Sequence, residues 1–144
     1  MVRSKAKEWG LDDRRVGMLG FSAGGHLTAW TLSTTDKRAY EPVDAADKLS
    51  SRPDFALLIY PAYLTDKEKK LSPTVKVTKD TPPCFIWSTM EDKTVPVENS
   101  LLFAAALRKA KVPYEMHIYE TGRHGVGLAK DNPALSTWPK LLEN

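Results

Sequence analysis

Residues 15–27 read RVGMLGFSAGGHL, an apolar run that breaks at small residues around Ser22 and resumes as helix-forming sequence. Val16, Met18, Leu19 and Phe21 are suited to a buried parallel strand. Leu27 with Trp30, and Leu27 with Thr31, then follow at the three- and four-residue spacings of a helix face. Between the two lies Gly20-Phe21-Ser22-Ala23-Gly24, the G-x-S-x-G pattern of a nucleophile elbow. A serine at the tip of such a turn sits on strained backbone, and a Cβ two residues before or after it is expected to collide with neighbouring chain. Glycine at both places follows from that expectation. The turn lifts the hydroxyl above the sheet, and Ala23 opens a helix whose first amide can face an oxyanion. Five-residue patterns recur by chance and glycines punctuate ordinary loops. Here the strand and helix that the pattern requires flank it, so Ser22 is a candidate nucleophile.

Working outward, Val2, Ala6 and Trp9 share one face of an opening helix that Gly10 stops, and Asp12 and Asp13 turn the chain into the Arg15 to Phe21 strand. The serine helix is expected over about Ala23 to Thr34. Polar residues Thr35 to Arg52 follow, with a short helical pattern around Ala45 to Leu49. DFALLIY, Asp54 to Tyr60, reads as a second buried strand closed by Pro61. The mixed run Asp66-Lys67-Glu68-Lys69-Lys70 reads as solvated surface. Thr81-Pro82-Pro83 stiffens the entry to a third strand, Cys84 to about Ser88, which ends in the acidic loop Met90 to Lys93. Pro96 opens a helix over about Val97 to Lys109 with an apolar Val97, Leu101, Ala105 face and basic residues in its last turn. Tyr114 to Tyr119 alternates as a strand with one wet face, hence a sheet edge. A glycine-flanked loop, Gly122-Arg123-His124-Gly125, and the start of a terminal helix complete the chain.

Four strands alternating with helices predict an α/β fold, a mostly parallel sheet of about four strands with flanking helices, in one domain over residues 1–144. The net charge of +3, from 21 basic and 18 acidic residues, is spread along the chain and gives no footprint for nucleic acid. The single cysteine, Cys84, excludes an intramolecular disulfide and a thiolate metal cluster; its PPCFIW setting reads as a small buried hydrophobe. Neither a metal nor a cofactor is called for. No run reaches the roughly 18 apolar residues of a membrane span, and MVRSKAKEWG lacks the apolar core of a signal peptide. As written, the chain reads as soluble and cytoplasmic, while a longer protein could be exported.

In open α/β sheets the reactive loops gather beyond the carboxyl ends of the strands. Ser22 follows the first strand, Asp92 the third and His124 the fourth, which puts three complementary residue types on one rim. Acyl transfer needs a hydroxyl nucleophile, a base that takes and returns its proton, and an anion that orients the base. His124 alone of the three histidines lies in a loop beyond a strand. His117 reads as a surface residue on the edge strand, and His26, one turn into the serine helix, reads as packing. For the anion, Asp92 and Glu91 both remain open, with Asp131 a poorer candidate.

GFSAGGH, DKTVPVENS and the GRHG loop together resemble the α/β-hydrolase superfamily, and within it acetylxylan-esterase-like carboxylesterases related to prolyl-oligopeptidase-type and dienelactone-hydrolase-type enzymes. The resemblance implies a serine esterase with Ser22, Asp92 and His124 as triad and Ala23 as an oxyanion donor; Asp92 before Val95-Pro96 matches the family's acid motif and favours it over Glu91. It implies small acyl esters, such as acetyl groups on polysaccharide, as substrates. It also implies that the chain corresponds to the C-terminal half of such an enzyme, without the upstream HGG-type loop that carries the second oxyanion donor. That leaves the isolated chain open to inactivity and its sheet edge open to self-association. A serine peptidase of the prolyl-oligopeptidase kind and a non-catalytic half-domain are the alternatives.

Overall fold

The computed structural model describes residues 1–33 and 40–143. Four strands, β1 (Gly17–Phe21), β2 (Phe55–Ile59), β3 (Cys84–Thr89) and β4 (Tyr114–Tyr119), form one parallel sheet in the order 1-2-3-4. The helices are α1 (Val2–Trp9), α2 (Ala23–Ser33) and α3 (Glu98–Lys109), with 3-10 turns at Ala46–Lys48 and Leu135–Glu143. The expected strands are all present, although β1 starts at Gly17 rather than Arg15. The expected terminal helix is a 3-10 segment with Pro139 inside it, a residue that cannot donate to a regular helical ladder. The predicted end of the serine helix at Thr34 lies outside the described residues, as does the chain through position 39.

Strand periodicity divides the core into two layers. Ala56, Leu58, Cys84 and Ile86 pack on one face against Ala29 and Leu32 of α2 and Phe103, Ala104 and Leu107 of α3. Ile59, Phe85 and Trp87 pack on the other against Leu135 and Trp138 of the terminal segment. β2 and β3 are covered on both sides, which explains their unbroken apolar sequences. The layers fix the strand ends, and through them the rim where the candidate residues sit.

The helix faces differ from expectation. α2 buries Gly25, Thr28, Ala29 and Leu32, while Leu27 and Trp30 stand half exposed. Small side chains let this helix lie close to the sheet, and a hydropathy spacing built on the bulkier residues selects a different face. α3 likewise buries Ser100, Phe103, Ala104 and Leu107, leaving Leu101 and Ala105 exposed. In α1 only Ala6 is buried. That helix is held instead by Arg3, whose guanidinium pairs with Asp54 at 2.9 Å and donates to the carbonyls of Ser50, Arg52 and Asp13. Gly10 caps it in the left-handed conformation, φ 68°.

β4 is an edge, as its alternation predicts, but it lacks a fully wet face: only Glu115 is exposed. The His117 ring packs on Phe85 at 5.5 Å and its Nε2–H donates to the Glu115 carboxylate, and Tyr119 packs on Trp87. The other edge is β1, whose only strand partner among the described residues is β2.

Candidate active site

The turn between β1 and α2 puts Ser22 at φ 53°, a left-handed conformation that costs a non-glycine residue about 1–2 kcal/mol. It is held there by its own backbone. The Ser22 amide donates to Ile59 O at 3.0 Å, and its carbonyl accepts from Gly25 and Ala62, both at 2.9 Å. These bonds tie the elbow to the end of β2. A Cβ on Gly20 would lie 2.1 Å from Gly24 O, and one on Gly25 2.7–2.8 Å from Pro61, so backbone approach excludes side chains at both positions. Gly24 differs from expectation: a Cβ there meets open space. The tight positions are therefore two before and three after the serine.

Ser22, His124 and Asp92 meet beyond the carboxyl ends of β1, β4 and β3. His124 Nε2 lies 2.9 Å from Ser22 Oγ, and its Nδ1 lies 2.7 Å from Asp92 Oδ2. The Asp92 side chain is buried, with 2% of its surface exposed. Burial alone would raise its pKa. Against that, the amides of Val95 and Thr94 each donate to Oδ1 at 2.9 Å and His124 engages Oδ2, and together they hold the carboxyl below its ordinary value. All three contacts favour the ionised form. With Oδ2 accepting from Nδ1–H, the neutral ring presents a lone pair at Nε2 toward the serine hydroxyl.

The loop bearing His124 is fixed by contacts that carry no motif. Thr89 Oγ1 donates to Gly122 O at 2.8 Å, and a Cβ on Gly122 would strike the Thr89 methyl at 2.6 Å. Tyr60, immediately after β2, sets its ring edge-on to the His124 imidazole at 5.1 Å and accepts a hydrogen bond from the Gly127 amide at 3.0 Å. Burial pushes the Tyr60 phenol above its ordinary value, so it stays neutral. Asn99, buried at the start of α3, accepts from the Leu64 and Thr65 amides at 2.8 and 3.1 Å and donates to Pro96 O at 2.9 Å. It joins the acid loop to the segment lining the serine's flank. A lone Tyr before proline, or an Asn inside a helix, gives no sequence signal of such roles.

The remaining candidates lie apart from this relay. His26 hydrogen-bonds Thr74 at 3.3 Å and stacks edge-on against Tyr63, in keeping with a packing role. Glu91 is exposed and bonds neither Ser22 nor His124, and Asp131 is likewise outside the relay. Ala23 opens α2, so its amide has no acceptor within the helix and stands at the helix's positive end. A cleft of about 250 Å³ adjoins Ser22, lined by Ala62, Tyr63, Thr65, Val95, Pro96 and Asn99 among others. A second groove of about 570 Å³ adjoins His124 on the side of the acid loop. Among the described residues no group of three or more His, Cys, Asp or Glu side chains is arranged to hold a metal ion, and no helix is long and apolar enough to cross a membrane.

The profile of the prolyl oligopeptidase family matches residues 2–137. The chain is 37% identical over 149 residues to endo-1,4-beta-xylanase B of Butyrivibrio fibrisolvens, an alignment covering 90% of this chain and 23% of that protein. It is 32% identical over 151 residues to the acetylxylan esterase of Xylanibacter ruminicola, covering 88% of this chain and 29% of the relative. Among solved structures, the acetyl ester-xyloside bifunctional hydrolase of Caldicellulosiruptor lactoaceticus superposes with a TM-score of 0.87 at 39% identity, covering 99% of this chain and 59% of that one. The chain thus spans under a third of the length of those two curated relatives and somewhat more than half of the solved structure.

Proposed function

Because this chain belongs to the prolyl oligopeptidase family, with the α/β-hydrolase fold, we propose that it carries the reactive centre of a serine hydrolase that cleaves carboxylic esters. Ser22 is the nucleophile, His124 the base and acid, and Asp92 the carboxylate that orients the imidazole. The observation that carries the reading is the continuous relay from Ser22 Oγ through His124 to Asp92.

In this mechanism Ser22 Oγ attacks the ester carbonyl carbon while His124 Nε2 takes the hydroxyl proton. The carbonyl π pair moves onto oxygen, where the Ala23 amide stabilises the charge. Collapse of the intermediate breaks the bond to the alcohol oxygen, which leaves with the proton from Nε2. Water then repeats the sequence on the acyl-serine, giving the carboxylic acid and free Ser22. Asp92 holds one tautomer and stabilises the imidazolium at each stage without taking its proton.

Small acyl groups, acetyl above all and carried on a polysaccharide, are supported by the size of the cleft beside Ser22 and by the names of two similar proteins. The family's own description favours a second reading, a peptidase of the prolyl oligopeptidase kind. Paired assays separate the two. The ester reading expects p-nitrophenyl acetate to be cleaved faster than the octanoate, with loss of turnover in Ser22→Ala and no release from prolyl p-nitroanilides; faster release from the anilides would favour the peptidase.

A further inference from the structure

Past the end of β4 the chain has no ladder to hold it. From Thr121 to Gly125, among the described residues, no backbone group bonds to another backbone group, although this stretch carries His124. Two side chains hold it from just beyond. The Tyr60 hydroxyl, at the end of β2, accepts from the Gly127 amide at 3.0 Å, and the Trp138 indole, in the terminal 3-10 segment, donates from Nε1 to the Gly127 carbonyl at 3.1 Å. Both polar backbone groups of one residue are thereby fixed, three positions after the imidazole. Tyr60 and Trp138 are themselves buried, 5% and 1% exposed. They belong to one aromatic cluster: Tyr60 meets Phe21 at 5.7 Å and Trp87 at 6.0 Å, and Trp138 meets the same two rings at 6.2 and 6.1 Å. Phe21 immediately precedes Ser22, so this cluster joins the nucleophile's strand to the loop of the histidine.

We infer, on the proposed role of His124 as base, that Tyr60 and Trp138 are positioning residues that set the imidazole by clamping Gly127 from the end of β2 and from the terminal segment. The imidazole has little play: Nε2 must stay 2.9 Å from Ser22 Oγ while Nδ1 stays 2.7 Å from Asp92 Oδ2. A misplacement of about 1 Å at a reacting group costs on the order of a hundredfold in rate. The Tyr60 ring adds a direct contact, edge-on to the imidazole at 5.1 Å. Neither residue takes or gives a proton in the reaction; both act through His124. The terminal segment thus belongs to the reactive apparatus although it brings no reacting group.

Tyr60→Phe keeps the ring and its packing while deleting the acceptor, and Trp138→Phe deletes the donor. Each is expected to slow fluorophosphonate labelling of Ser22 by about 3- to 10-fold, the factor carried by one hydrogen bond of ordinary net strength. Tyr60→Phe carries the test alone if Trp138→Phe does not fold. In a His124→Ala background there is no imidazole to misplace, so Tyr60→Phe should leave the residual rate unchanged. In protein with isotopically labelled histidine, the His124 Nδ1–H signal, kept from exchange by its bond to Asp92, should broaden in Tyr60→Phe. Leu107→Ala loosens the other layer of the core and should label at the parent rate, which separates positioning from lost stability. A parent rate in either single variant, an unbroadened Nδ1–H signal, equal slowing in the His124→Ala background, or the same slowing in Leu107→Ala would overturn the inference. Labelling of His124→Ala itself at the parent rate would instead remove the base assignment on which the inference rests, so the two failures give different results.

Discussion

At Ser22 the geometry that serves chemistry opposes stability, since the left-handed φ of 53° is maintained by the bonds to Ile59, Gly25 and Ala62. Ser22→Gly should therefore raise unfolding stability by about 0.5–1 kcal/mol while abolishing turnover, the gain being partly offset by the freedom glycine has when unfolded. Denaturant midpoints of the two proteins decide this; a destabilised glycine variant would mean that the serine is unstrained. Gly20→Ala should cost about 1–3 kcal/mol through the collision with Gly24 O, whereas Gly24→Ala, in open helix, should be neutral or gain up to about 1 kcal/mol. For the anion, Asp92→Asn should lower turnover about ten-thousand-fold and Glu91→Gln far less. Acid should act through the same carboxylate. Its folded value lies below the ordinary 3.8, so its contribution to stability is complete above that pH and disappears as pH falls through the folded value. A urea midpoint that drops between pH 6 and pH 3, and drops less in Asp92→Asn, is the expected result. The three meeting residues were legible because each has a motif or a strand end to announce it. Gly25, Asn99 and Tyr60 were not, because what constrains them is an approach by chain distant in sequence.

Among the elements, strands were easier to read than helix faces. β2 and β3 are apolar on both sides because both sides are covered, and a short apolar run between turn residues has few other readings. The helices misled because close packing on the sheet selects small residues, as with Gly25, Thr28 and Ala29, and hydropathy gives those little weight. Burial therefore predicts an ordering that the sequence pattern would reverse. Leu107→Ala in α3 should cost about 2–5 kcal/mol and Leu101→Ala less than about 0.5 kcal/mol, as thermal unfolding of each variant would measure. Cys84 is a case where both readings coincide. It is buried at the start of β3, and burial pushes its thiol up to about 12, so iodoacetamide should modify it only under denaturing conditions. Rapid alkylation of native protein would contradict its placement.

For the molecule as a whole, the sheet has one feature of direct consequence outside the site. Among the described residues β1 is paired on one side only, Leu19 is 44% exposed, and Leu27 and Trp30 on the neighbouring α2 are 51% and 44% exposed. An unpaired strand with apolar surroundings recruits other chains. Residues 1–144 should accordingly elute above monomer size, and Leu19→Lys should shift the elution toward monomer; a monomeric parent chain would contradict this. The same sheet brings together two residues 102 positions apart, and the account depends chiefly on that meeting of Ser22 and His124. Mass spectrometry after fluorophosphonate treatment tests it most directly. The account predicts one phosphonyl adduct on Ser22, forming at least about a hundredfold more slowly in His124→Ala and absent in Ser22→Ala; an adduct of equal yield in Ser22→Ala, or an undiminished rate in His124→Ala, would contradict it.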